Sequence, residues 1–223
     1  MNLRVLATVA FAWSLAVFTT TAQQQSPAEL AQALQKKYDT IRDFSADFSH
    51  TYTGGVLRKQ ITEKGHLLVK KPGKMRWDYT SPEVKRFVSD GMKIYSYIPA
   101  DKQVIVGTVP QGDTASTPAL FLSGKGDLTR DFTASAGTAP AGVATGTRAL
   151  KLVPRTPQPD YDWLVLLVDP ATLSLRGMVT TDSQGGTSVF SFSNLKENVG
   201  LADKEFTFQM PRGVDVVTDG GGR

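Results

Sequence analysis

The feature that most constrains this chain is a long series of short stretches in which apolar and polar residues alternate one by one. Met75, Trp77 and Tyr79, for example, alternate with charged residues, and turn residues such as Asp90-Gly91 separate one stretch from the next. A period of two places alternate side chains on opposite faces of a strand, and strands this closely spaced pair as antiparallel neighbours. About six such strands precede residue 110 and about four follow residue 148, so the pattern predicts a large antiparallel sheet.

A helix over about 27–41 is predicted before the sheet. Ser26 can cap it, Pro27 suits its first turn, and Glu29 closes a capping box. Apolar residues then follow at spacings of three and four. A short helical piece is also predicted between Thr117-Pro118 and Ser123-Gly124. Together these elements predict an α+β fold, with helices against one side of a strongly curved antiparallel sheet.

Three further segments carry definite expectations. Residues 133–148 are rich in Ala, Gly, Thr and Pro, which predicts an exposed loop. Trp163–Val168 is apolar at every position, which predicts a strand buried on both faces. Phe206 and Phe208 predict a short late strand.

The first 22 residues have the layout of a secretory signal peptide: basic Arg4, an apolar run over 5–17, and small residues up to Ala22. The run is shorter than the roughly 20 residues of a transmembrane helix, although an uncleaved anchor is the alternative. We therefore expect residues 23–223 to form one exported domain. Loss of Arg4 lowers the formal charge from +4 to +3, which is modest for a dedicated nucleic-acid-binding protein. Cys is absent, which excludes disulfides and thiolate sites.

The catalytic inventory of the sequence is sparse. His50 and His66 have no partner at metal-ligand spacing, and G-x-S-x-G is absent. Ser193 and Lys196 match S-x-x-K without the accompanying K-T-G motif. Scattered carboxylates leave a glycosidase pair open, but nothing singles one out. We expect a protein that is not an enzyme and that needs no metal or cofactor.

The stretch KKPGKMRWDY, residues 70–79, joins four basic residues to two aromatic ones. That mixture is typical of nucleic-acid surfaces. Strand parity instead places the apolar residues of this stretch on one face. A half-closed sheet under helices encloses more space than its side chains fill, which predicts a pocket for an apolar ligand such as an acyl chain. A polyanion binder would use Lys70, Lys71, Lys74, Arg76, Lys85 and Arg86.

Motifs in a fixed order across nearly the whole mature chain carry a family resemblance. The first are Tyr38-x-x-Ile41-x-x-Phe44-x-Ala46-x-Phe48 and Gly65-x-Leu67-x-Val69-Lys70-Lys71-Pro72-x-x-Met75-Arg76-Trp77. Later ones are Val88-Ser89-Asp90-Gly91, Thr117-Pro118, Asp182-x-x-Gly185 and Phe206-x-Phe208-x-x-Pro211-x-Gly213-Val214. Each is weak alone, but their order and spacing are specific. The chain resembles the LolA family, periplasmic carriers that move lipoproteins from the inner to the outer membrane of Gram-negative bacteria.

The resemblance implies an incomplete antiparallel β-barrel whose helices form a lid over an apolar cavity for lipoprotein acyl chains. It implies a monomer in the periplasm, loaded by an inner-membrane ABC transporter of the LolCDE type. Unloading would pass the cargo to an outer-membrane receptor of the LolB type, without chemistry on the carrier. A paralogous carrier of another lipid or glycolipid is the alternative, because acyl pockets respond to apolar area rather than to head groups.

We assign the cavity, lid and latch within this framework. The family usually has Arg before the Pro of the K-P motif, where it hydrogen-bonds the helical lid. This chain has Lys71, a point charge on a flexible stem in place of a planar fork of five donors, so we expect a weaker latch. A fully packed core and an ordinary packed turn are the alternatives for the cavity and the lid. The cavity residues are Phe48, Leu67, Val69, Met75, Trp77 and Tyr79, and the lid residues are Leu120, Phe121 and Leu122.

Overall fold

The computed structural model describes residues 25–54, 59–110, 122–140, 146–158, 161–182 and 184–218. Its first element is α1, Pro27–Thr40, which confirms the predicted helix to within one residue. The Glu29 N–H donates to Ser26 Oγ at 3.3 Å, and the Ser26 N–H donates to the Glu29 carboxylate at 2.8 Å. This reciprocal pair satisfies two of the free N–H groups at the helix start. Ile41 has extended backbone and ends the helix.

Twelve strands follow α1 in the described part of the chain, and all belong to one sheet. They are β1 (Asp43–Thr53), β2 (Gln60–Lys70), β3 (Lys74–Ser81), β4 (Lys85–Asp90), β5 (Lys93–Ile98), β6 (Gln103–Thr108), β7 (Phe132–Ala136), β8 (Arg148–Pro154), β9 (Leu164–Val168), β10 (Leu175–Thr181), β11 (Thr187–Glu197) and β12 (Asp215–Thr218). Across the sheet the order is β12-β6-β5-β4-β3-β2-β1-β11-β10-β9-β8-β7. Neighbours pair antiparallel except β12, which runs parallel to β6. The edges β12 and β7 are not paired with each other, so the described sheet is open.

The predicted strongly curved antiparallel sheet is confirmed, but the balance of elements differs from the α+β prediction. One α-helix, α1, lies wholly within the described residues, beside twelve strands, so this part of the chain is mainly β. The excess strands come from the second half, where six form instead of about four.

Two local predictions were wrong. Residues 133–136, placed in an exposed loop, belong to the edge strand β7, because small alternating side chains such as Ala134 hide the strand pattern while the preceding Phe132 enters the core. The predicted strand at Phe206 and Phe208 is a 3-10 turn, Asp203–Phe206, followed by extended chain. The final strand lies later, at β12. Residues 141–145 and 219–223 lie outside the described ranges.

Helix α1 covers the concave face of the sheet at the β7–β8 side. Leu30, Ala31 and Leu34 are buried there against apolar residues of the C-terminal strands. Strand β9 is buried at every position, which confirms the prediction for its apolar run. Its residues alternate between the main core and a second cluster on the opposite face, around Val165 and Leu167. We call β7–β11 with α1 the roofed half.

The convex face of β3 and β4 is covered by residues 203–208, which we call the strap. Phe206 is almost fully buried, and Phe208 stacks on Tyr95 of β5 with ring centroids 5.0 Å apart. Lys70 and Lys74 both pair with Asp203, at 2.6 and 3.0 Å. The strap therefore holds the outer side of these strands. Among the described residues, no helix has the length and apolar character that crossing a membrane requires.

Candidate functional site

Strand β3 separates its two kinds of side chain as the alternation predicted. Met75 lies opposite Val69, and Trp77 opposite Leu67, so these four residues share the concave face. Arg76 points to the other face, where it pairs with Asp78 at 2.7 Å and with Glu205 of the strap at 3.5 Å. Lys70, Lys74 and Arg76 therefore contact acidic groups of the chain itself rather than forming an open basic surface.

An open, mostly apolar pocket of about 490 Å³ lies over β3–β6 on the concave face. Ile105 of β6 is 39% exposed within it, so the floor of the pocket reaches solvent. Helix α1 lies over β7 and β8, at the other end of the sheet, and among the described residues it does not cover these strands. The lining residues are Met75, Trp77, Tyr79, Phe87, Val88, Ser89, Ile94, Ser96, Ile105, Gly107, Thr108, Pro110 and Phe190.

A cluster of aromatic rings forms one wall of the pocket. The Phe48 ring meets Trp77 and Tyr79 edge to face, with centroids 5.0 and 4.9 Å apart, and Trp77 meets Phe190 at 5.5 Å. These offsets suit the quadrupoles of the rings. Gly65 makes the arrangement possible, because a Cβ at this position would lie 2.7 Å from Phe48 Cζ. The wall is therefore a packed, rigid surface.

The six predicted cavity residues share one face but divide into two layers. Met75, Trp77 and Tyr79 line the pocket. Phe48, Leu67 and Val69 are buried in the core beside it and do not line it. The assignment of any of these residues to acyl chains stays a prediction.

Sequence reasoning missed the part of the pocket that lies beyond β3. Phe87 pairs across the sheet with Trp77 and with Ser96, and Ser96 pairs with Ile105. Alternation within β4, β5 and β6 was visible in the sequence. Counting the register from Trp77 to β4, and then through the Asp90-Gly91 hairpin to β5, would have extended the wall. Phe190 of β11 had no such local signal.

Lys71 contacts the end of α1, and its predicted role as a latch for the lid stays a prediction. Its Nζ donates to the backbone oxygen of Tyr38 and lies 3.4 Å from the centroid of the Tyr38 ring. Burial lowers the pKa of Lys71 to about 8, and the Asp39 carboxylate partly offsets this. The Tyr38 hydroxyl in turn donates to the Leu122 carbonyl. Lys71 therefore reaches residue 122 through Tyr38.

Ser123 and Gly124, just after the predicted lid, contact the β2–β3 turn. The Gly73 N–H donates to the Ser123 carbonyl at 3.0 Å. Gly124 has a φ of +87° and lies against the Lys71 stem, where a Cβ would come within 2.8 Å of Cδ. Leu122 is fully buried in the core. The other two predicted lid residues, Leu120 and Phe121, lie outside the described residues.

Charged side chains gather at one end of the aromatic wall. His50 stacks on Phe190 with ring centroids 4.1 Å apart, and its Nδ1 lies 3.4 Å from Glu63 Oε2. Lys85 Nζ lies 2.6 Å from the other Glu63 oxygen. Burial lowers the pKa of His50, and the Glu63 charge acts against that shift. We call His50, Glu63 and Lys85 the polar corner.

The described residues contain no group of three or more His, Asp or Glu side chains placed to hold a metal ion. His66 is paired with Asp47 at 2.9 Å on the convex surface, and Asn194 donates to the other Asp47 oxygen. The chemistry available at the pocket is therefore burial of apolar surface, with hydroxyl groups and the polar corner at its margin.

Residues 39–209 match the family model described as outer membrane lipoprotein carrier protein LolA. An outer-membrane lipoprotein carrier protein from Chromohalobacter salexigens is 31% identical over 218 residues, covering 95% of this chain and 99% of that protein. One from Methylococcus capsulatus is 32% identical, covering 83% of this chain and 86% of its own. An uncharacterised conserved protein from Thermus thermophilus has a similar fold, with a TM-score of 0.51 at 12% identity over 86% of this chain and 98% of that one.

Proposed function

The chain belongs to the LolA family of outer membrane lipoprotein carrier proteins, and from this premise we propose that it carries lipoproteins by holding their acyl chains on the concave face of β3–β6. One structural observation supports this location above all. The pocket of about 490 Å³ is open and mostly apolar, while the equivalent face of the roofed half is filled by α1. Each methylene group buried there contributes about 0.8 kcal/mol, so even part of one chain binds appreciably.

The proposal includes the cellular route of the cargo. Residues 1–22 act as a cleaved signal peptide, and residues 23–223 work as one monomeric domain in the periplasm. An inner-membrane ABC transporter of the LolCDE type loads the carrier, and an outer-membrane receptor of the LolB type accepts the cargo. The carrier binds and releases without covalent chemistry, and it acts on no nucleic acid.

The latch and lid are part of the same proposal. Leu120, Phe121 and Leu122 cover the bound chains, and Lys71 favours the covered state through Tyr38. Two observations support this role: the Tyr38 hydroxyl donates to the Leu122 carbonyl, and the Lys71 stem fills the space beside Gly124. Because Lys71 contacts one carbonyl and one ring, it holds this junction through fewer hydrogen bonds than an Arg fork would make.

A charge placed in the pocket tests the proposal. Ile105→Glu puts a carboxylate on a pocket residue that is 39% exposed, so the variant should fold. We expect it to lose most uptake of lipoprotein released from inner-membrane vesicles, because burial of apolar chain next to an unpaired charge is unfavourable. Mass spectrometry of the wild-type protein purified from periplasm should show bound lipoprotein.

Val153→Glu is the matched control, since Val153 is 40% exposed and lies on the roofed half, outside the pocket lining. It should take up lipoprotein as the wild type does. Normal uptake by the Ile105 variant would refute the pocket assignment. Co-purification of a glycolipid without lipoprotein would favour the paralogous carrier instead.

A further inference from the structure

Tyr79 brings a polar group to the wall of an otherwise apolar pocket. Its ring is held edge to face by Phe48 at 4.9 Å and by Phe87 at 5.6 Å. Its hydroxyl makes no hydrogen bond to any of the described residues, and the half-buried side chain lines the open pocket, where water reaches it. A ligand that covers this hydroxyl removes it from water, and leaving it unpaired would then cost free energy. A bound ligand is therefore expected to supply its hydrogen-bond partner.

The surroundings of Tyr79 make it a donor rather than an acceptor. Burial, with the nearby Glu63 charge, raises the pKa of Tyr79 well above its ordinary value. The phenol therefore keeps its proton at any physiological pH, and an uncharged acceptor such as a carbonyl oxygen suits it. A carboxylate ligand is less suitable, because Glu63 already supplies negative charge beside the ring.

The polar corner identifies which end of a bound molecule lies here. Lys85 is the neighbour of Tyr79 across the β3–β4 pairing, and the His50 ring lies 6.5 Å from the Tyr79 ring. Ionic side chains at this end disfavour the apolar tail, whereas they tolerate an ester or amide group. The opposite end of the lining, near Met75 and Pro110, has no such charges among the described lining residues.

We infer that the Tyr79 hydroxyl donates a hydrogen bond to the carbonyl of an ester- or amide-linked acyl chain. The carbonyl end then lies at the polar corner, and the tail runs along β3 toward Met75. Tyr79 is thus a specificity-determining residue that favours acyl chains over plain hydrocarbon. This inference rests on the proposed acyl-chain function and adds to it the linkage that the pocket recognises.

Two ligands that differ only at the carbonyl test the inference. Monopalmitoyl glycerol has an ester carbonyl, and the hexadecyl glycerol ether lacks it. Both are titrated against the full mature chain by displacement of a fluorescent apolar probe. We expect the wild type to bind the ester about fivefold more tightly than the ether, the effect of one ordinary hydrogen bond. Tyr79→Phe should abolish that preference while leaving ether affinity unchanged.

Tyr97→Phe is the control, since it removes the same atom from a tyrosine that contacts Phe208 on the convex side. It should keep the ester preference. Equal binding of both ligands by the wild type, or a preference that survives in Tyr79→Phe, would overturn the inference while leaving the proposed function intact. Loss of the preference in Ser96→Ala or Lys85→Met, but not in Tyr79→Phe, would also overturn it. Failure of the wild type to bind either ligand would instead refute the acyl-chain function.

Discussion

The two halves of this sheet share the alternating pattern but differ in how far their concave side chains are buried. In the roofed half, Leu150, Leu152 and Leu164 are fully buried under α1. In β3–β6, which we call the open half, Ile105 is 39% exposed and the concave side chains surround a pocket. The difference on this face lies in the covering element, because the strands of both halves place apolar residues on it.

The open half keeps its shape because it is held from the outside. The strap covers the convex face of β3 and β4, with Phe206 buried and Asp203 paired to two lysines. The apolar residues on the concave face therefore do not have to form the only core of these strands. One face of these strands can stay uncovered because the strap packs against their other face.

The largest expected difference between the halves concerns stability. Leu164→Ala removes a fully buried side chain from the roofed half and should lower the free energy of unfolding by about 2–5 kcal/mol. Ile105→Ala, in the open half, should lower it by less than about 1 kcal/mol, because less surface is buried there. Urea unfolding followed by circular dichroism measures both. Equal losses would show that the open half is a packed core in solution.

An intermediate effect is expected at Lys71, which joins α1 to the turn before β3. Its pKa is about 8 in the folded chain and near 10.5 when unfolded, so the unfolded state binds more protons between these values. Stability contributed by this group therefore rises with pH over that window. The free energy of unfolding of the wild type, measured relative to that of Lys71→Met, should therefore increase from pH 8 to pH 10.5.

Lys71→Arg is the control for that measurement, since its guanidinium stays charged throughout. Its stability relative to Lys71→Met should lack the rise. A wild-type difference that is constant with pH would mean that the Lys71 amine is solvated rather than packed against Tyr38.

The smallest effect is expected at the strap. Lys70 and Lys74 lower the pKa of Asp203, so its contribution to stability is present above its unfolded pKa and is lost as pH falls through the folded one. Because Asp203 is exposed, Asp203→Asn should shift the urea midpoint only slightly at pH 7, and less in high salt. Asp215→Asn, which forms no ion pair among the described residues, is the comparison. A large shift would assign the strap a greater share of stability than its surface ion pairs explain.

Much of the fold was predictable because its signals are local. The cap at Ser26, the hairpin at Asp90-Gly91 and the buried run of β9 each follow from neighbouring residues. Strand β7 was missed because Ala134 and its small neighbours give little apolar contrast. The late strand was misplaced because Phe206, which is buried, and Phe208, which stacks on Tyr95, pack against the sheet and do not pair in it.

The sequence by itself determined which side chains share a face: parity alone separates Met75, Trp77 and Tyr79 from Lys74, Arg76 and Asp78. Only the tertiary structure decided which parts of that face are filled and which are open. Phe48 and Leu67 are packed, while Tyr79 lines the pocket with its hydroxyl unpaired among the described residues. The physical reason is that alternation is a property of one strand, whereas burial depends on what the rest of the chain places above it.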